Sequence, residues 1–299
     1  MIKNVEGLIF DIDTFAVHDG PGIRMAVYLK GCPLKCKWCH SPESQRISPE
    51  LIFIRDRCRI CETCVTICLR EVHQVSDSKH TIIHDKCITC GNCVEHCPHN
   101  ALAIKGYRIN SGVIIEKALR MKPFFDHSGG GITLTGGEVT VQADFAEAVL
   151  VGCRAYDIHT AIETSGACNW SKLEQLLKYS NLVLYDLKLI DEEEHIKWTG
   201  ISNKQILDNA SRLAGYNVQI RVPLIPNITD TGDNLRGIFA FMQKVGLHNV
   251  ALLPYNTSAN AKYEWLGLEY EIKGESQSKE SLERMLEIAH YYNTNAVIN

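Results

Sequence analysis

The sequence predicts an α/β protein in which a parallel sheet of βα units is interrupted by a small cysteine-rich insert. Three observations carry this expectation. Six apolar, β-rich runs alternate with helical patterns, the signature of a parallel sheet flanked by helices. Cysteines between Cys58 and Cys97 fall in two identical spacings, and Cys32, Cys36 and Cys39 follow directly after the first β-rich run. A length of 299 residues with 45% hydrophobic and 22% charged residues suits one sizeable core plus a small module.

Strands are expected at 24–29, 131–135, 158–163, 181–187, 218–222 and 249–253, and helices at about 112–121, 142–156, 169–179, 204–216 and 233–245. The insert takes 51–105, leaving 1–50 and 106–299 as the main domain. Parallel barrels place their chemistry on loops at the carboxyl ends of the strands. The cysteine loop follows the first run, Gly136-Gly137-Glu138 the second and Glu163-Thr164-Ser165-Gly166 the third, while Asp186-Leu187-Lys188 ends the fourth. Their convergence is worth more than any one of them, since Gly-Gly-Glu alone is only a turn.

The spacing Cys32-x3-Cys36-x2-Cys39 supplies three thiolates to a 4Fe–4S cubane and leaves one iron open to a substrate, whereas electron-transfer clusters use four cysteines. A zinc site would show four ligands in paired short spacings, and His40 would have to complete one here. Disulfides need an oxidising compartment. The opening 1–7 shows no signal-peptide pattern, so a reducing cytoplasm is expected.

Cys58, Cys61, Cys64 and Cys68 form Cys-x2-Cys-x2-Cys-x3-Cys, repeated by Cys87, Cys90, Cys93 and Cys97. In this two-cluster bacterial ferredoxin arrangement the fourth cysteine of each run ligates the other cluster. The expected sets are Cys58, Cys61, Cys64 with Cys97, and Cys87, Cys90, Cys93 with Cys68. Leu69 stands where the first run would carry proline, as Pro98 does in the second. Cys153 and Cys168 are left as packing residues. A net charge of −4 gives no broad footprint for nucleic acid, and no apolar stretch is long enough to span a membrane.

The chain resembles the activating enzymes of glycyl radical enzymes, a radical S-adenosylmethionine (SAM) family with a partial (β/α)6 barrel. The resemblance rests on Asp19-Gly-Pro-Gly-Ile-Arg24, the Cys32 loop, Ser128-Gly-Gly-Gly131, Gly136-Gly-Glu138, Ile158-His-Thr160 with Glu163-Thr-Ser-Gly166, Asp186-Leu-Lys188, Ile220-Arg221 and Leu252-Leu-Pro-Tyr255. The ferredoxin-like α+β insert resembles that of the larger members, which serve decarboxylases, dehydratases and lyases. The resemblance implies three 4Fe–4S clusters, SAM bound at the Cys32, Cys36, Cys39 cluster, and cleavage of SAM to methionine and a 5'-deoxyadenosyl radical. That radical removes an α-hydrogen from a glycine of a partner enzyme, with flavodoxin or ferredoxin as electron donor.

It also implies site residues. Gly136, Gly137 and Glu138 are expected to receive the methionine amino group, and Lys188 and Arg221 to hold the carboxylate or ribose. Trp38, His40 and Asn256 are expected to contact SAM, Asn256 standing where relatives often have histidine. Relatives bind a monovalent cation, sodium or potassium, beside SAM. Glu163, Thr164 and Asp186 match those positions, with Glu163 replacing a shorter aspartate. Asp19 and Arg24 are expected to bind the partner's glycine loop, the plain alternative being a Pro-Gly turn with a salt bridge. The segment 5–11 and the loop 39–44 resemble activators of arylacetate decarboxylases.

Two other functions stay open on sequence alone. One is a radical SAM enzyme acting on a small molecule or peptide, which would favour an open iron in the insert, where both cysteine sets are complete. The other is a pure electron carrier, which leaves the three-cysteine loop and Gly-Gly-Glu unexplained.

Overall fold

The computed structural model describes residues 4–299; the first three residues of the opening inspected for a signal peptide lie outside it. Its strands are β1 (Glu6–Ala16), β2 (Arg24–Leu29), β3 (Glu50–Phe53), β4 (His73–Ser76), β5 (Lys79–Ile82), β6 (Leu102–Lys105), β7 (Tyr107–Asn110), β8 (Gly131–Gly136), β9 (His159–Thr164), β10 (Leu182–Asp186), β11 (Val218–Leu224), β12 (Asn249–Pro254) and β13 (Asn295–Ile298). One large sheet runs β13-β12-β11-β10-β9-β8-β2-β1-β7. From β2 across to β13 every neighbouring pair is parallel, while β1 returns antiparallel to β2 and β7 antiparallel to β1. The ends β13 and β7 do not meet, so the sheet is an open, partial barrel.

All six expected strands are present in this order. Met25, Ala26, Val27 and Leu29 have no exposure, as expected of a strand covered on both faces, which reads as a continuous apolar run. β1, β7 and β13 were not anticipated. β1 buries Gly7–Phe10 but carries Asp11, Asp13 and Thr14 on exposed positions, and the short β7 and β13 are mostly solvent-facing, so none of the three is buried along its length.

The expected helices form at Ser111–Ser128, Ala143–Arg154, Trp170–Leu177, Lys204–Ser211 and Gly232–Val245. The last shows its local causes: Thr231 Oγ1 accepts from Asn234 N at its start, and Gly246 at φ +74° ends it. Glu192–Thr199, Asn260–Trp265 and Lys279–Tyr291 are additional helices. Glu192–Thr199 escapes apolar periodicity because its first turn is Glu192, Glu193 and Glu194, held by the Asp191 cap.

The insert pairs β3 with β6 and β4 with β5, each antiparallel. It joins the barrel through Lys30 at the end of β2. This fully buried lysine donates to Glu43 O at 2.6 Å and pairs with Glu50 Oε2 at 2.9 Å. Among the described residues no helix is long and apolar enough to cross a membrane.

Candidate active site and cluster cavities

Cys32, Cys36 and Cys39 lie on a loop pinned from three sides. Gly31 N donates to Ser44 O at 2.6 Å, Lys35 N to Thr199 O at 2.8 Å, and Tyr263 Oη reaches Cys36 O at 3.4 Å. Leu34, Cys36 and Trp38 pack with Leu189, Ile225 and Tyr255. Burial raises all three thiols, Cys36 to about 12 against the pull of the Lys188 ammonium. Buried sulfurs with so little tendency to ionise alone suit a cationic iron centre that takes them as thiolates.

The end of β8 passes this loop backbone to backbone. Gly137 N donates to Leu29 O and Glu138 N to Gly31 O, both at 2.8 Å. Gly136 has φ +104°, and a Cβ on Gly137 would stand 2.2 Å from Gly31 O, so neither position tolerates a side chain. The Glu138 carboxylate is fully buried. Its Oε1 accepts from Thr140 N, Thr140 Oγ1 and Thr164 Oγ1 at 3.2, 2.8 and 2.7 Å, and its Oε2 from Ser165 N and Ser165 Oγ at 2.9 and 2.7 Å. A carboxylate offers about four lone-pair sites, so none is left for a methionine amino group. The expected Glu138 contact is therefore corrected: this side chain positions the ends of β8 and β9. The Thr164 hydroxyl is likewise taken, donating to Glu138 and accepting from Gly166 N at 3.0 Å, which leaves its carbonyl as the oxygen open to a ligand.

Deeper in the barrel, acids and bases interleave. Lys188 Nζ is 2.8 Å from Asp186 Oδ2; burial opposes its charge, but Asp186 and the neighbouring Cys36 hold its pKa above the usual lysine value. Arg221, 7% exposed, has Nη1 3.0 Å from Glu163 Oε1. That pair lacks hydrogen-bond alignment, and both Nη1 and Nε are buried without a hydrogen-bond acceptor. Thr135 Oγ1 donates to Glu163 Oε2. Burial raises Glu163, opposed by Arg221, and raises Asp19, also opposed by Arg221. Asp19 thus faces the same chamber as Glu163, Asp186 and Arg221.

Arg24 does not. It has no exposure and donates to Thr133 Oγ1 at 2.6 Å, Ile132 O at 2.6 Å and Pro21 O at 3.1 Å. Burial lowers it to about 10. The expectation that it touches a partner is corrected: its guanidinium ties the Asp19 turn to β8. Trp38 is buried with its ring 6.3 Å from Trp198, so its indole is part of the packing beneath the cysteine loop. His40 Nε2 lies 3.1 Å from Ser258 Oγ and Asn256 Oδ1 accepts from Ser258 N at 2.9 Å, so these two exposed residues close the cysteine loop against the end of β12.

In the insert, one cavity is lined by Cys58, Cys61, Cys64 and Cys97 and another by Cys68, Cys87, Cys90 and Cys93. Positive φ recurs at Ile60 and Thr89, Glu62 and Gly91, and Glu71 and Asn100, so each cysteine run turns the same way. Cys153 is fully buried in the core, and Cys168 receives Asn209 Nδ2 only at 4.0 Å.

Residues 86–235 match the radical SAM superfamily and residues 57–102 the 4Fe-4S dicluster domain. The trans-4-hydroxy-L-proline dehydratase activating enzyme of Clostridioides difficile is 39% identical over 290 residues, 95% of each chain. The choline trimethylamine-lyase activating enzyme of Oleidesulfovibrio alaskensis is 39% identical over 94% of each. The chain belongs to the radical SAM activating enzymes of glycyl radical enzymes. The 4-hydroxyphenylacetate decarboxylase activating enzyme of Clostridioides difficile strain CD196 is 36% identical over 96% of this chain and 94% of its own. In fold, a radical SAM methyltransferase from Sphaerobacter thermophilus overlays 92% of this activating enzyme and 66% of its own chain, with TM-score 0.54 at 12% identity.

Membership implies SAM and a 4Fe–4S cluster, and the dicluster match implies auxiliary clusters. The residues present fit: three sulfurs share one loop, the Lys188 ammonium paired with Asp186 acts on Cys36 and Cys32, and Arg221, in the field of Asp186 and Glu163, keeps unsatisfied buried donors. Sequence inspection of the activating enzyme missed Ser165, Lys30, Tyr263 and the buried pair His73 and His80. Only the histidines left a signal, lying on diagonal positions of the hairpin closed by the Asp77-Ser78 turn.

Glu138→Ala is expected to lower folding stability by at least about 3 kcal/mol, since several buried donors lose their acceptor at roughly 1–3 kcal/mol each. Glu138→Gln, which keeps the shape, should lose less. Chemical denaturation measures both. Unaltered stability with weakened SAM binding would return Glu138 to the role of a direct ligand.

Proposed function

We propose that this activating enzyme binds SAM at Cys32, Cys36 and Cys39 and removes a hydrogen atom from the glycine loop of a lyase, dehydratase or decarboxylase partner. When bound, the cluster supplies the electron that cleaves SAM into methionine and a 5'-deoxyadenosyl radical. The observation that carries the placement of SAM is Arg221, whose buried Nε and Nη1 lack acceptors. A carboxylate accepts from a guanidinium in the geometry such donors need. Lys188, whose ammonium acts on Cys36, assists, and the side-chain-free Gly136 and Gly137 give backbone access for the amino group. His40, Asn256 and the Trp38 backbone close the adenosyl end. Asp19, half-buried in the same chamber, faces the incoming glycine loop.

Identity is 39% to the hydroxyproline dehydratase and choline lyase activators and 36% to the hydroxyphenylacetate decarboxylase activator. The arylacetate resemblance of 5–11 and 39–44 therefore does not single out a partner, and we propose the class. For a sodium or potassium ion, Glu163, Asp186 and the Thr164 carbonyl remain the expected oxygens. Because Arg221 and Lys188 now neutralise both carboxylates, the ion enters only as SAM draws those bases away. The insert cysteine sets hold two 4Fe–4S clusters that take electrons from flavodoxin or ferredoxin, in the reducing cytoplasm where thiols persist.

Anaerobic reconstitution with SAM, a reductant and a candidate glycyl radical enzyme should produce 5'-deoxyadenosine together with a glycyl radical doublet in electron paramagnetic resonance (EPR). 5'-Deoxyadenosine without a radical on any such partner would favour a small-molecule substrate.

Arg221→Ala is expected to weaken SAM binding by about 1.5–3 kcal/mol, the range for a hydrogen bond to a charged group, with iron content unchanged. Equal SAM affinity in the variant would move the carboxylate site elsewhere.

Replacing Cys61 and Cys90 together should sharply reduce activation driven by flavodoxin or ferredoxin and reduce dithionite-driven activation much less. Equal losses in folded, SAM-binding protein would point to the insert as a docking element instead of a relay.

A further inference from the structure

The insert repeats at an offset of 29 residues, Cys58 to Cys87, which also relates β3 to β5 and β4 to β6. Under this repeat His80 on β5 occupies the place of Leu51 on β3, and His73 on β4 that of Leu102 on β6. His80 and Leu102 line the cavity of Cys58, Cys61, Cys64 and Cys97, whereas Leu51 and His73 line the other. Each cavity is therefore lined by one imidazole and one aliphatic chain at exchanged places, but only His80 comes within reach of cysteine sulfurs, those of Cys58 and Cys64.

His80 is 5% exposed and His73 3%. His80 Nδ1 lies 3.6 Å from Cys58 Sγ, and His80 Nε2 lies 3.0 Å from His73 Nδ1. Nε2 is also 3.8 Å from Cys64 Sγ, but His73 is nearer. His73 Nε2 is buried with no partner. Proton accounting then leaves one order. A neutral imidazole has one N–H and one lone pair. If His80 Nδ1–H donates to the Cys58 sulfur, His80 Nε2 must accept from His73 Nδ1–H, and His73 Nε2 is the bare lone pair at the far end. The reverse order would set an unshared Nδ1 lone pair of His80 against the Cys58 sulfur at 3.6 Å, whereas in the first order the Nε2 lone pair, 3.8 Å from Cys64 Sγ, is taken up by the nearer His73 N–H at 3.0 Å. A chain of two neutral imidazoles can therefore serve one cavity and not both.

Hydrogen bonds to cluster sulfurs raise the reduction potential, because the reduced cluster carries more negative charge. Backbone donors lean the same way. Ile60 N reaches Cys58 Sγ at 3.5 Å and Thr89 N reaches Cys87 Sγ at 3.4 Å, one in each half, but Ala101 N to Cys97 Sγ at 3.4 Å serves the first cavity.

We infer that the His73–His80 pair gives its single N–H to the cluster held by Cys58, Cys61, Cys64 and Cys97 and none to its twin. The first electron entering the insert accordingly rests at that cluster. This rests on the proposal that both cavities hold 4Fe–4S clusters, whose failure would appear separately as missing iron. The step is a one-electron reduction by dithionite or a protein donor, and no proton moves.

The test is an EPR-monitored redox titration of the full-length, loaded enzyme, with Cys61→Ser used to assign the cluster in the first cavity by its altered spectrum. The wild type should show two distinct insert potentials, the higher belonging to that cluster. His80→Phe should bring the higher potential down toward the lower without moving the twin or the iron content. His80→Gln, whose amide N–H can replace the donor, should restore most of the gap. Should His80→Phe fail to load its cluster, pulsed EPR of wild-type enzyme containing ¹⁵N-histidine decides, since the first-reduced cluster must show coupling to a histidine nitrogen and its exchangeable proton. Equal potentials in the wild type, both potentials shifting together in His80→Phe, or absence of that coupling would overturn the inference. So would a zinc ion on Cys64, His73 and His80, whose donor atoms lie within 4.8 Å of one another.

Discussion

The end of β8 has to pass the cysteine loop with no side chain between the two backbones, and the rest of the active site is arranged around that contact. Gly136 and Gly137 make it sterically possible, and their neighbours Leu29 and Gly31 accept the resulting hydrogen bonds. Glu138 then fixes the far side, its buried carboxylate gathering donors from Thr140, Thr164 and Ser165. Hydrogen bonds to a charged group contribute about 1.5–3 kcal/mol each, against about 0.2–1 kcal/mol for an exposed ion pair. Surface pairs such as Arg212 with Asp208 are therefore minor beside this junction. Any movement of β8 relative to β9 would move the cysteine loop with it.

Charge in the chamber follows a second logic. Asp19, Glu163 and Asp186 are set against Arg221 and Lys188, three acids against two bases. Ionised SAM carries a sulfonium, an ammonium and a carboxylate, a net positive charge that complements this surplus. Arg221 is the component left incomplete. A buried cation with unmet donors costs stability, a cost that the proposed SAM carboxylate would remove. The same reasoning explains why Arg24, equally basic and more deeply buried, has no such role: its donors already have Thr133, Ile132 and Pro21.

Features set by local spacing were legible in the sequence. The cysteine runs announced three sets of sulfurs, and the apolar runs located six of the seven parallel strands, β13 being the one missed. What escaped was whatever depends on how many donors the tertiary structure brings to one acceptor. Glu138 is separated by 26 residues from Thr164 and by 27 from Ser165, and no local pattern tells a carboxylate that will meet a ligand from one that will be saturated by its own chain. Arg24 failed for the same reason in reverse, as a basic residue beside a functional turn whose acceptors lie on β8. Glu192–Thr199 was missed because capping and helix-dipole chemistry, rather than an apolar stripe, starts it.

The insert shows how a duplicated scaffold can be made unequal. Its two halves share turn geometry, strand pairing and cysteine spacing, so backbone alone would give two clusters much the same surroundings. Two centres of equal potential share an electron evenly, while unequal ones hold it at the higher-potential site, and replacing the backbone of one half to make them unequal would disturb the cysteine geometry in both. Two side chains on one hairpin can make the difference without touching that geometry. His73 and His80 replace aliphatic residues at related positions, stay buried, and hydrogen-bond each other. The asymmetry then lies in which end of the pair carries the proton, and the Cys58 sulfur, as the only cluster ligand within reach of Nδ1 among the described residues, decides it.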